Sequence, residues 1–299
     1  MRHWFHRLTR EDLVLFVRLM VVGGRAFLHN NGPSWAAAIA YYSLLSIFPL
    51  LLAAGSVASY FIDPQWAVLQ VTALLGDFLP KGRLAIESIV KETLDGGGLG
   101  LLFFLPMVWT GTLVFGALTK ALNIAFEGTN DRDYLRQMKV RLVMLLSLGI
   151  IFGLALGSST LLQAIQALLG VLPLGGDFLV AVLLGVAPTF LLMIGFLLTY
   201  RFVPARRPGW RAAFVGATIA SFAFVIAKPL FLGYVLVLAR YNFVYGSLGG
   251  IIAAVIWAWV VSMIGIYGGQ MASLWQSVMV DGETLAAVER RHLSRHRAR

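Results

Sequence analysis

Cysteine is absent from this 299-residue chain. That excludes a disulfide framework and any thiolate metal site. Acidic residues are scarce, 14 Asp and Glu against 24 Lys and Arg. Charged residues of either sign amount to 13% while hydrophobic residues reach 59%, far from the balance of a soluble domain. His3, His6, His29, His292 and His296 all lie near the two ends, so no histidine metal site belongs to the apolar body. There is no HExxH and no GxSxG. Tyr245-Gly-Ser-Leu-Gly249 lacks the first glycine of a nucleophile elbow. Asp131 and Asp133 form a D-x-D, but a metal-dependent nuclease needs a fuller carboxylate cluster. No catalytic set, metal or cofactor is expected.

What the chain does have is six long apolar stretches. They run from about Trp35 to Ile62, Leu99 to Phe115, Leu142 to Val171, Phe178 to Tyr200, Ala212 to Leu238 and Gly246 to Val280. A helix needs roughly 20 residues to cross a hydrocarbon core of about 30 Å. The longest must tilt or continue beyond the lipid. The expected fold is all-α, a polytopic membrane protein with six transmembrane helices. It divides into residues 1–34, cytoplasmic and interfacial, the membrane region 35–280, and a basic cytoplasmic tail 281–299.

Lys and Arg alternate between gaps. Arg2, Arg7, Arg10, Arg18 and Arg25 precede the first stretch, and Lys120, Arg132, Arg136, Lys139 and Arg141 surround the second gap. Arg201, Arg206, Arg207 and Arg211 fill the fourth, and Arg290, Arg291, Arg295, Arg297 and Arg299 close the chain. The opposite gaps hold Lys81, Arg83, Lys91 and Arg240 alone. Basic loops stay in the cytoplasm, and an even span count puts both basic ends there together. The +10 balance therefore sets topology and touches anionic lipid rather than nucleic acid. The bacterial inner membrane is the expected location.

Three shorter features follow. Glu11–Leu28 is expected to be an interfacial helix, because Arg18 and Arg25 share one face of an otherwise apolar segment. The same arginines argue against a cleavable leader. The first outer loop, Asp63–Gly98, reads as two short amphipathic helices broken at Pro80-Lys-Gly82. The fourth gap, Pro204-Ala-Arg-Arg-Pro208, reads as a rigid basic turn.

Pro49, Pro106, Pro188 and Pro229 fall inside apolar stretches, where each removes a backbone donor. They are hinge candidates, set against the general frequency of Pro in membrane helices. Gly149, Gly153 and Gly157 recur every four residues, a helix-packing pattern that serves one chain or a homodimer equally. In the last stretch, glycines alternate with Trp257, Trp259 and Trp275, as in a central, tightly packed helix. Lys228 lies near the middle of the fifth stretch beside Pro229. A charge at mid-membrane costs about 2.5–3.5 kcal/mol. Lys228 must therefore meet a cavity, a partner or a headgroup. Tyr234, Tyr241, Tyr245, Asn123 and Gln270 complete the candidate substrate pathway.

Ala36-Ala-Ala-Ile-Ala-Tyr-Tyr-Ser-Leu-Leu-Ser-Ile-Phe-Pro-Leu50 resembles the first-span signature of the YihY/BrkB family, once labelled ribonuclease BN. Trp109 with Ala121-Leu-Asn123 and the run Arg132–Arg141 is similar to its second block. Arg201-Phe-Val-Pro204, Gly216, Tyr234, Tyr241–Gly249 and Trp257 resemble its C-terminal block. The resemblance spans about Phe27–Trp275. It implies a six-helix inner-membrane protein, virulence-associated in some members, with lipid or amphiphile transport suspected and the ribonuclease label a misassignment. The family usually carries Gly-Ala-Glu where this chain has Gly268-Gly-Gln270, and Gln270 cannot titrate. The function expected is a membrane transporter or flippase-like protein for an amphiphilic or lipid substrate. The alternative is a non-catalytic envelope scaffold. Its expected partners are membrane lipids.

Overall fold

The computed structural model describes residues 10–58, 100–128, 176–240 and 249–285, with a few isolated positions besides. Every regular element among them is helical. In chain order these are α1 (Arg10–His29), α2 (Gly32–Ala58), α3 (Gly100–Ala125), α4 (Gly176–Phe202), α5 (Trp210–Arg240) and α6 (Gly249–Trp275). Gln276–Val280 extends α6 as a short π-helical turn. The expected third stretch, the helices of the first outer loop, Asp131, Asp133, Tyr241, Tyr245 and the Gly149–Gly157 stripe lie outside the described residues.

α2 to α6 form because long apolar runs must satisfy their backbone internally, and the glycines and prolines they contain leave them whole. All four prolines lie within continuous helices: Pro49 in α2, Pro106 in α3, Pro188 in α4 and Pro229 in α5. None of them breaks its helix. Among the described residues, two segments, Trp210–Val235 and Gly249–Val280, are long and apolar enough to cross a membrane, at 26 and 32 residues.

Turns between helices are short and follow from local chemistry. α1 ends at Asn30-Asn31, where Asn31 adopts φ 55°, a left-handed conformation that asparagine tolerates. α3 ends at Glu127, φ 52°, and Gly128. Pro204 and Pro208 bracket the α4–α5 turn, as the sequence leads one to expect. α5 starts two residues after Pro208.

α6 is the central helix, touching each of the other five. Its glycines explain how. A Cβ on Gly268 would lie 2.7 Å from Ala220 Cβ and 3.0 Å from Gly216 O. A Cβ on Gly216 would lie 2.5 Å from Gly268 O. α5 and α6 therefore meet backbone to backbone, as small residues permit in membranes. Gly269 faces Leu122 of α3, and Met271 and Leu274 face Gly23 of α1. Long-range hydrogen bonds secure the same helix. Tyr200 Oη donates to Gly265 O at 2.7 Å, Tyr267 Oη to Met20 O at 3.1 Å, and Trp259 Nε1 to Pro33 O at 3.1 Å.

Candidate functional site

Two groups of chemistry-bearing residues emerge, at different levels of the bundle. Along α6, Trp257 and Gln270 are 13 residues apart, about 20 Å at 1.5 Å per residue. Lys228 and Tyr234 belong to the level of Trp257. Asn123 and Gln270 belong to the other level. The sequence-derived candidates thus do not form one cluster among the described residues.

The first level is an outward face of α5. Its exposed positions include Trp210, Phe214, Thr218, Phe222, Val225, Ile226, Leu230 and Tyr234, spaced by three or four as one stripe. Phe222 and Leu230 are 68% and 69% exposed. Lys228 is also exposed, on another side of the helix from Ile226 and Leu230. Behind it, Phe231 stacks on Trp257 with centroids 4.7 Å apart, Phe224 lies 5.4 Å from the same indole, and Tyr234 lies 6.2 Å from Phe231. This aromatic wedge joins α5 to α6 and fixes the backbone that carries the lysine. Lys228 lies 18 residues beyond Trp210, about 27 Å along the axis.

The second level is the basic end. Asn123 Oδ1 accepts from Ala205 N at 2.7 Å, so a buried side chain of α3 holds the α4–α5 turn. From the other side, Gln276 Oε1 accepts from Gly209 N at 3.0 Å, while Gln276 Nε2 donates to Asp281 Oδ1 at 3.1 Å. Arg206 Nη2 reaches Asp281 Oδ2 at 3.2 Å; such an exposed pair contributes no more than about 1 kcal/mol. Arg201 Nη1 donates to Pro208 O at 2.6 Å, and its guanidinium lies 5.3 Å from the Trp210 ring centroid. Arg207 lies over Phe202 at 6.0 Å. A shallow cleft opens here, lined in part by Glu127, Arg206, Arg207 and Gln276.

Gln270 is 1% exposed. Its Oε1 accepts from Asn30 Nδ2 at 2.9 Å, which ties the α1–α2 turn to α6. Its Nε2 is buried with no protein acceptor among the described residues. No three His, Asp or Glu side chains converge as a metal site would require, again among the described residues.

Asn30, Tyr200, Gln276 and Asp281 are absent from the sequence-derived candidates. Their partners lie 240, 65, 67 and 75 positions away, so no local pattern announces them. Asn123→Leu removes the acceptor for Ala205 N and is expected to cost about 1–3 kcal/mol. Limited trypsinolysis of detergent-solubilised protein should then cleave faster after Arg206. An unchanged rate would show that Asn123 does not hold the turn.

The chain matches the family model described as virulence factor BrkB over residues 24–292. It is 28% identical to the ribonuclease-like protein YfkH of Bacillus subtilis, covering 82% of this chain and 90% of that protein. It is 29% identical to a UPF0761 membrane protein of Tolumonas auensis, covering 84% of each chain. A UPF0761 membrane protein of Idiomarina loihiensis is 28% identical, over 81% of this chain and 86% of that one. No solved structure matches the chain. The apolar helices and the membrane relatives agree that this is an integral membrane protein. With nearly its whole length matched, the chain belongs to the BrkB virulence-factor family.

Proposed function

We propose that this protein moves an amphiphilic, lipid-like substrate across the bacterial inner membrane along the outward face of α5. The observation that carries this reading is Lys228, a charged residue exposed on the apolar helix α5, one turn from the exposed Val225. A lysine near the membrane boundary of a lipid-facing helix extends its ammonium to the interface, where an anionic headgroup is the partner that lipid itself supplies. The aromatic wedge behind it gives the helix a fixed back.

The topology in this proposal has six spans with both ends in the cytoplasm and α1 lying at the interface. The alternation of basic gaps supports it. Trp210 and Arg211 would then mark the cytoplasmic boundary. Lys228, about 27 Å further on, would fall near the outer boundary of a core about 30 Å thick. Its ammonium would reach the outer headgroup layer.

The test is flux of a fluorescent anionic phospholipid in vesicles containing purified protein. Lys228→Ala should lower the rate at least about tenfold, the loss of a charge-assisted contact to the headgroup worth about 1.5–3 kcal/mol, while Lys228→Arg should keep most of it. Full activity of Lys228→Ala would remove this residue from the mechanism.

A second reading is a non-transporting envelope scaffold. It is favoured by the closed basic end, where Asn123, Gln276 and Asp281 clasp the α4–α5 turn. It predicts no flux with wild-type protein and co-purifying envelope partners. A ribonuclease, suggested by the YfkH name, would require metal-dependent cleavage lost in an Asp131→Asn, Asp133→Asn variant.

A further inference from the structure

We infer that the α4–α5 turn and the first turn of α5 form a binding surface for an anionic phospholipid headgroup, in the leaflet at the basic end of the bundle. This site is separate from Lys228, and it holds whether or not the protein transports anything. Four arginines, Arg201, Arg206, Arg207 and Arg211, fall within eleven residues. They are not equivalent. Arg201 is turned inward to Pro208 O and the Trp210 ring. Arg206 is paired with Asp281. Arg207 and Arg211 are exposed, and neither has a carboxylate partner among the described residues.

Between these two lies Trp210, 54% exposed. Arg201 and Phe202 hold it in place, the latter edge-on at 6.1 Å. A partly exposed indole beside arginines is the side-chain chemistry of a membrane interface. One turn further into α5, Phe214 is 49% exposed, and the apolar stripe continues to Phe222. A phospholipid fits this sequence of surfaces: phosphate and headgroup charge at Arg207 and Arg211, glycerol at Trp210, acyl chain along Phe214 and Phe222. A nucleic acid or soluble anion would use the arginines but leave the apolar stripe unexplained. A free carboxylate-rich peptide would do the same.

The surface is also firm enough to select. Pro204 and Pro208 are fully buried, Asn123 and Gln276 grip the turn from two sides, and little order remains to be acquired on binding.

The experiment uses the full chain in nanodiscs of defined lipid, with lipids carried through gentle delipidation counted by native mass spectrometry. Wild-type protein should retain phosphatidylglycerol in preference to phosphatidylcholine. Each arginine near an anionic surface is worth about 1 kcal/mol, close to fivefold, so the Arg207→Gln, Arg211→Gln protein should lose the preference by roughly 25- to 30-fold. Arg207→Lys with Arg211→Lys should keep most of it. Should the double variant fold poorly, each single Gln variant is expected to lose about fivefold. A control with Arg2→Gln and Arg7→Gln should retain the preference. The inference is overturned by equal retention of both lipids by wild-type protein, by an equal loss in the control, or by displacement of the lipid with free glycerol phosphate. Loss of the preference with normal lipid flux would leave the Lys228 reading standing and still support this site.

Discussion

Gly216→Val is expected to force α5 away from α6 and to lower stability by about 1–3 kcal/mol, the usual cost of overpacking. A Cβ at this position would lie 2.5 Å from Gly268 O and 2.6 Å from Ala272 Cβ. The first of these is backbone in the middle of a helix, so it cannot swing aside as a side-chain end could. Relief requires moving a whole helix. In a membrane there is little hydrophobic driving force to hold helices together, and close van der Waals contact takes its place. Opening this one contact therefore weakens the bundle at its centre. Gly233→Ala is the matched comparison. It lies on the same helix with nothing within 4 Å of the added Cβ, and alanine favours a helix over glycine. It should be neutral or slightly stabilising. Unfolding of both proteins in detergent by heat or SDS checks the pair. If both melt alike, α5 and α6 do not meet in the way described.

Tyr200→Ala should be more damaging still. Tyr200 is fully buried, its ring stacks on Phe196 at 5.9 Å, and its hydroxyl donates to Gly265 O at 2.7 Å. The side chain fills the space beside Gly265, Gly268 and Gly269, which have no side chains with which to fill it. Removing a large buried aromatic costs about 3–5 kcal/mol. Tyr200→Phe keeps the ring and loses only the hydrogen bond, about 1 kcal/mol. The ratio of the two losses separates packing from hydrogen bonding. Equal losses would assign Tyr200's role to its hydroxyl and refute the packing account.

These two expectations join a loop of cause and effect. Glycines let α5 approach α6, the approach leaves room for one large side chain, and Tyr200 enters it from α4. The glycines of the last stretch are legible in the sequence as a mark of a central, closely packed helix, and α6 is that helix. What was not legible is which element each glycine faces. Gly216 and Gly268 are 52 positions apart, and periodicity reports a face without naming its partner.

Asn123 and Gln270 illustrate the limit differently. Both stand out in the sequence as polar groups in apolar surroundings, which is a physical signal of a satisfied buried role or a functional one. The structure gives each a tertiary hydrogen bond, Asn123 accepting from Ala205 N and Gln270 from Asn30 Nδ2. Choosing between roles required seeing the partner. Lys228 was equally conspicuous, but its exposure amid apolar residues depends on which face of α5 is left uncovered.

The sequence by itself determined that this chain is helical and made for a membrane, and it located the rigid basic turn between α4 and α5. Apolar run length, charge placement and proline are local properties, and each acts on its own neighbourhood without reference to the rest of the chain. Only the tertiary structure decided that α6 is touched by every other described helix, that Tyr200 fills its glycine face, and that Lys228 and Gln270 lie at separate levels. Those are outcomes of packing between segments far apart in the chain, where shape complementarity selects one arrangement from many that the same hydrophobic pattern would allow.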